Sequence, residues 1–235
     1  MNIVEKIKSN KNFVFGRAEI IILLTLCIGL FLIGQALFNG SFSHILIQKT
    51  FTISHLSKAQ KNNIKLALHK LNGTIIKPKQ VFSFNEIIGS REAKNGYQLS
   101  NVYLNGKTEK DFGGGICLLS SVLYQSVLLI NLKVIERWSH QKIIHSVPIG
   151  LDATVWFGQA DLRFENNLNF PLKITGLIEN DKLKILISGQ KKVLVFKILT
   201  KTQRLEKHKL KVQIFLINPN EKYTNKLIST DIYSI

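Results

Sequence analysis

Residues 112–134 read FGGGICLLSSVLYQSVLLINLKV, and the passage from glycine to leucine decides how the rest can fold. Three successive glycines, Gly113–Gly115, sit poorly inside a helix, where each costs about 1 kcal/mol relative to alanine. Cys117 to Ile130 contains neither Gly nor Pro and is rich in leucine, so a helix is predicted to begin as the glycines end. Its apolar residues fall on most faces instead of one stripe, which marks it as central and buried.

Downstream, past Pro148, the pattern changes from helical to strand-like. ATVWF (153–157), DLRFE (161–165), PLKITGLIE (171–179) and KLKILIS (182–188) each suit a strand, with Glu179-Asn180-Asp181 as the hairpin turn between the last two. Val193–Leu199 and Leu210–Leu216 are further strand candidates, joined by the charged KTQRLEKHK. Upstream, Ser54 or Ser57 can cap a helix whose stripe is Leu56, Ile64, Ala67, Leu68 and Leu71, and Gly73 stops it. Pro78 precedes a short strand at Val81–Phe84, and residues 85–112 are polar and turn-rich with a strand candidate at Val102–Leu104. Helices first and antiparallel strands later predict an α+β domain with the Cys117-bearing helix at its centre.

Further upstream, Ile20 to Phe38 reads IIILLTLCIGLFLIGQALF, without a charge. At about 1.5 Å per residue such a run just covers a hydrocarbon core of roughly 30 Å. A cleaved signal would have a shorter apolar core, and Ala36-Leu37-Phe38 is a poor cut site, so an uncleaved transmembrane anchor is expected. Lys6, Lys8, Lys11 and Arg17 precede the run, whereas Lys49 is the first Lys or Arg after it. The positive-inside rule then places the N-terminus in the cytoplasm and the main domain outside. The expected organisation is a basic tail (1–19), an anchor (20–38), a connector (39–54), a main domain (55–189) and a β-rich extension (190–235).

Net charge of +17 on 235 residues points to polyanionic surroundings, whether nucleic acid, anionic lipid or an anionic cell wall. Four of the 32 basic and two of the 15 acidic residues precede Asn39, so the remainder still carries +15. The outward topology and the lack of RNP, helix-turn-helix or zinc-finger patterns argue against nucleic acid. With only Cys27 and Cys117 there is no disulfide framework, and no C-x-x-C pair for a zinc ribbon or dithiol.

Chemistry concentrates at Gly113–Cys117. A thiol at a helix N-terminus feels the positive end of the macrodipole, which favours thiolate. The glycines could admit a substrate backbone and offer N–H groups to an oxyanion. His140, His145 and Asp152 follow, and the order Cys, His, Asp suits a thiolate–imidazole nucleophile with an acid orienting the ring. The competing reading is a core cysteine, because free Cys is among the most buried residue types. Cys117, His140 and His145 lack a recognised metal-ligand spacing, and no metal or cofactor is expected.

NNIKLALHKLNGTIIKP (62–78), VFSFNEIIGSREAKNGY (81–97), FGGGICLLSSVLY (112–124), IERWSH (135–140), VPIGLDATV (147–155) and DLRFENNLNFP (161–171) are ordered blocks over one stretch, from about Asn62 to about Gly189. In them the chain resembles the VanW family, named from an accessory protein of B-type vancomycin resistance clusters. The resemblance implies a wall-facing domain that binds or processes peptidoglycan or its precursors. Some family members resemble L,D-transpeptidases, in which a cysteine attacks a stem-peptide amide. Carried over by motif, Cys117 in GGGIC is the nucleophile and His140 in ERWSH the base, and Asp152 in GLDATV is inferred to be the orienting acid. Leu118, Gln141 and Lys79 stand where the family commonly has Gln, Ser and Gly.

Overall fold

The computed structural model describes residues 17–40, 42–104, 107–221 and 225–235. The chain divides between Gly40 and Ser41 into two compact units. The first contains helix α1 (Arg17–Gly40), in which Ile20 to Leu24 and Leu30 to Leu32 expose their apolar side chains. Ile20–Phe38, expected as an anchor, lies within it. Among the described residues no helix is long and apolar enough to cross a membrane; side chains are described without a break in α1 only from Glu19 to Leu32. Glu5, Lys6, Lys8 and Lys11 of the basic tail lie outside the described residues.

The second unit, Ser41–Ile235, is a mixed α/β domain whose paired strands all run antiparallel. Its first strand, β1 (His44–Thr52), lies inside the segment expected as a connector (39–54) and pairs with β9 (Lys182–Gly189). Alternating burial of Leu46 against exposed Ile45 conceals the pattern from a sequence reading, because an apolar residue occupies both faces. Helix α2 (Lys58–Leu71) starts at Ser57 with a reciprocal capping box to Gln60, and it buries Ile64, Ala67, Leu68 and Leu71 as expected. β2 (Ile75–Ile76) joins β8 (Leu172–Glu179), giving the four-stranded order β1-β9-β8-β2. The β8–β9 turn uses Asn180 and Asp181, both at positive φ, as a tight hairpin requires.

β3 (Val81–Ser83) runs into a short helix α3 (Phe84–Ile88), which Ser83 caps. β4 (Leu99–Leu104) and β5 (Lys107–Phe112) form a hairpin leading into the glycines. Helix α4 (Ile116–Leu129) then passes through the core with Leu119, Val122, Leu123 and Val127 fully buried. Each such side chain contributes about 1.5–3 kcal/mol relative to exposure. β6 (Lys133–Glu136) and β7 (Arg163–Glu165) complete the three-stranded order β3-β7-β6.

ATVWF is not a strand. It makes only isolated bridges, Trp138 with Thr154 and Trp156 with Ala160. The physical reason lies in α4, whose side chains take the backbone groups a sheet partner would have taken. Ser120 Oγ donates to Ala153 O at 2.6 Å, and Ala153 N donates to Ser121 Oγ at 2.9 Å. The extension is a third sheet, β10 (Lys197–Glu206), β11 (Lys209–Ile217) and β12 (Asn225–Ser234). KTQRLEKHK is thus mostly strand with a tight turn at Lys207–His208, and residues 190–235 belong to the same compact unit as the main domain.

Candidate active site

Three neighbours shape the loop before α4. Asn63, fully buried on α2, accepts from Gln98 N at 2.8 Å and donates to Gly114 O at 3.1 Å. It thereby ties α2, the start of β4 and the glycine turn together. Gly114 packs so closely on β4 that a Cβ would collide with Ser100 Oγ and the Asn101 carbonyl. Gly115, the N-cap of α4, has φ +96°, a left-handed conformation that other residues rarely adopt. At Gly114 the room left by the missing side chain is filled by β4 itself.

Cys117, half-buried in the first turn of α4, interacts with the His140 imidazole and donates to Val155 O at 3.8 Å. The adjacent N–H groups of Ile116 and Leu118 bond the carbonyls of Gly113 and Gly115 at 3.2 and 3.1 Å, so neither is free for an oxyanion. Leu118 itself is buried beside the thiol.

His140 and Asp152 are both buried, and they meet directly. Asp152 Oδ2 lies 2.7 Å from His140 Nδ1 and accepts from His140 N at 2.7 Å. Its other oxygen, Oδ1, accepts from Arg137 Nη2 at 3.0 Å and from Tyr233 Oη at 2.6 Å. The loop carrying Asp152 is held on both sides by α4: Gln125 Nε2 reaches Leu151 O at 3.3 Å, and Ser120 and Ser121 bind Ala153. Thr154 N donates to Trp138 O at 2.8 Å, which aligns the segment carrying His140 alongside. With Nδ1 on the carboxylate, the opposite ring nitrogen is left for Cys117.

These contacts set the protonation states. Burial opposes ionisation of all three groups. For Cys117 it is outweighed by the hydrogen bond and charge of His140, with a Val155 backbone hydrogen bond and Arg91 assisting, and the thiol is held below its ordinary value. Burial likewise pulls His140 down, but hydrogen bonds to Asp152 and Cys117 push it up to about 9. Asp152 stays below the usual carboxylate range because His140, Arg137 and Tyr233 overcome its desolvation. The contacts favour a thiolate–imidazolium pair backed by a carboxylate.

The pair opens into a cavity of about 600 Å³, also lined by Gly113–Gly115, Tyr103, Arg91 and His145. Tyr103 meets the His140 ring edge-on at 6.3 Å between centroids. Arg91 donates to Asn85 Oδ1 at 2.7 Å, while its Nε and Nη1 are buried without a partner among the described residues. His145 lines the cavity apart from the His140–Asp152 pair, and among the described residues no cluster of His, Cys, Asp or Glu could hold a metal ion. Sequence reasoning missed Asn63, Arg91, Arg137 and Tyr233. The polar row Ser120, Ser121 and Gln125 on an otherwise apolar helix was the legible sign that α4 holds a loop.

Fold and site together define an α+β domain with a half-buried cysteine at the start of its central helix beside a buried His–Asp pair. Residues 59–188 match the family model described as VanW like protein, and the chain belongs to that family. It is 36% identical over 118 residues to the uncharacterized protein YoaR of Bacillus subtilis (strain 168), covering 50% of this chain and 39% of that one. It is 30% identical over 128 residues to the vancomycin B-type resistance protein VanW of Enterococcus faecalis (strain ATCC 700802 / V583), covering 52% of this chain and 46% of that one. The chain therefore spans less than half the length of these curated relatives. No solved structure gives a significant match.

Proposed function

We propose that this protein is a cysteine-dependent acyltransferase of the cell envelope that acts on peptidoglycan stem peptides. The observation that carries the reading is the buried His140–Asp152 pair, with Asp152 Oδ2 at 2.7 Å from Nδ1, lying with Cys117 on one 600 Å³ cavity. A structural cysteine has no need of a buried imidazole with a carboxylate behind it. The thiolate would attack an amide carbonyl carbon, forming a C–S bond. His140 would give its proton to the amine as the C–N bond breaks, leaving a thioester. An amine of a neighbouring stem, or water, would attack the thioester and return a proton to His140. The Cys117 N–H, in the first turn of α4, would be a candidate donor to the oxyanion.

The substrate class rests on the resemblance to family members that resemble L,D-transpeptidases. The uncharged run Ile20–Phe38, with basic residues before it, supports a membrane tether that leaves the main domain outside. Stem-peptide processing by the full chain and by Cys117→Ala tests the reading. Processing is expected to disappear in the variant, and retained processing would refute the proposal.

A second reading is favoured by charge. A residual +15 after the apolar run would draw the domain to anionic wall polymer or precursor lipid without catalysis. Association with isolated wall should then weaken steeply with salt and survive Cys117→Ala.

A further inference from the structure

The match to the family covers residues 59–188, yet the charge behind the imidazole is held in part by residues well beyond that stretch. β12 presents Asp231 and Tyr233 to the interior, where Tyr233 is 1% exposed. Tyr233 Oη donates to Asp152 Oδ1 at 2.6 Å. Asp231 accepts from Arg137 Nη1 through both oxygens at 2.6 Å, and the same guanidinium donates from Nη2 to Asp152 Oδ1 at 3.0 Å and from Nε to Asp152 O at 2.6 Å. β12 is fastened beside the site, since Ser234 N donates to Gln141 O at 2.9 Å, one residue after His140.

We infer that the C-terminal strand is a positioning element of the catalytic site, with Tyr233 and the Asp231–Arg137 pair fixing the plane of the Asp152 carboxylate. This rests on the nucleophile reading of Cys117. Asp152 can serve the backbone and ring of His140 with one oxygen only if its other oxygen is pinned. Two donors on Oδ1, one neutral and one charged, do that from opposite sides of the chain. The ionisable and charged groups facing Asp152 are Tyr124 from α4, Arg137 and His140 from the segment after β6, and Tyr233 from β12, with Asp231 reaching it through Arg137. Arg137 lies over the Tyr124 ring at 5.2 Å, which fixes the guanidinium from the third side.

The test is the pH profile of Cys117 alkylation by iodoacetamide in the full chain, compared with Tyr233→Phe and Asp231→Asn. Tyr233→Phe keeps the ring in the core and removes one hydroxyl, and Asp231→Asn keeps the shape of its side chain. Each variant is expected to raise the alkylation midpoint by about one pH unit, so that labelling below the midpoint slows roughly tenfold. A loss of thermal stability with an unchanged midpoint in both variants would overturn the inference by making the strand merely structural. A lowered midpoint would overturn it too, since the hydroxyl would then only be drawing charge from the carboxylate. An ordinary thiol profile in the unsubstituted protein would sink the nucleophile reading and this inference together, whereas an activated profile that both variants retain sinks this inference alone.

Discussion

Asp152 uses a single oxygen to hold His140 twice, accepting the backbone N–H at 2.7 Å and facing ring Nδ1 at 2.7 Å. The double contact fixes both where the residue sits and which way its ring faces. A ring held only through Nδ1 could swing about its χ angles, but one whose backbone shares the same acceptor has little freedom left. His140 therefore reaches Cys117 as a preset partner.

Replacing His140 with Ala should return Cys117 towards, or above, an ordinary thiol value near 8.5, because burial alone pushes the thiol up. Arg91→Gln should move the midpoint in the same direction by less, since the guanidinium is the weakest of the groups that lower it. Alkylation rates across pH 5–10 would rank the two, and an Arg91 effect exceeding that of His140 would contradict the geometry.

Catalysis should show an alkaline limb. In the proposed mechanism the imidazolium would protonate the leaving amine; it loses its proton as pH rises through about 9, so turnover should fall about tenfold per pH unit above that value. Rates of amide cleavage measured from pH 6 to 10.5 test this, and a rate still rising beyond pH 10 would exclude His140 as the acid.

Asp152→Asn should cost about 3 kcal/mol at pH 7, because the buried His140 imidazolium loses the carboxylate behind it and Arg137 loses one of its two counter-charges, keeping Asp231. The sign with pH follows from the lowered Asp152 value. Its contribution is fully present above the unfolded value of about 3.9 and is lost as pH falls through the lower folded one. Urea unfolding at pH 7 and pH 3 should therefore show the gap between parent and variant narrowing in acid.

Gly114→Ala should destabilise the domain by about 1–3 kcal/mol, because a methyl group there meets the fixed Asn101 carbonyl as well as Ser100 Oγ. A thermal melt measures this. The same variant should slow Cys117 alkylation, since the turn that starts α4 must shift to make room.

The chain's sequence already contained the elements that local chemistry dictates. The leucine-rich run after the glycines could only be a buried helix, the capping box at Ser57 and Gln60 starts α2 where it must, and the Asn180-Asp181 turn sets the β8–β9 hairpin. Cys117, His140 and Asp152 were legible as types in an order that suits nucleophilic chemistry. What only the tertiary structure decided is their meeting. Ser120, Ser121 and Gln125 draw residues 151–153 onto α4, so that a segment patterned as a strand becomes a loop presenting Asp152. The role of β12 was equally hidden, for Tyr233 is 81 residues from Asp152 along the chain. Local propensity depends on neighbours a few residues apart. A hydrogen bond between distant segments depends on how whole sheets dock, and no short pattern in the sequence encodes it.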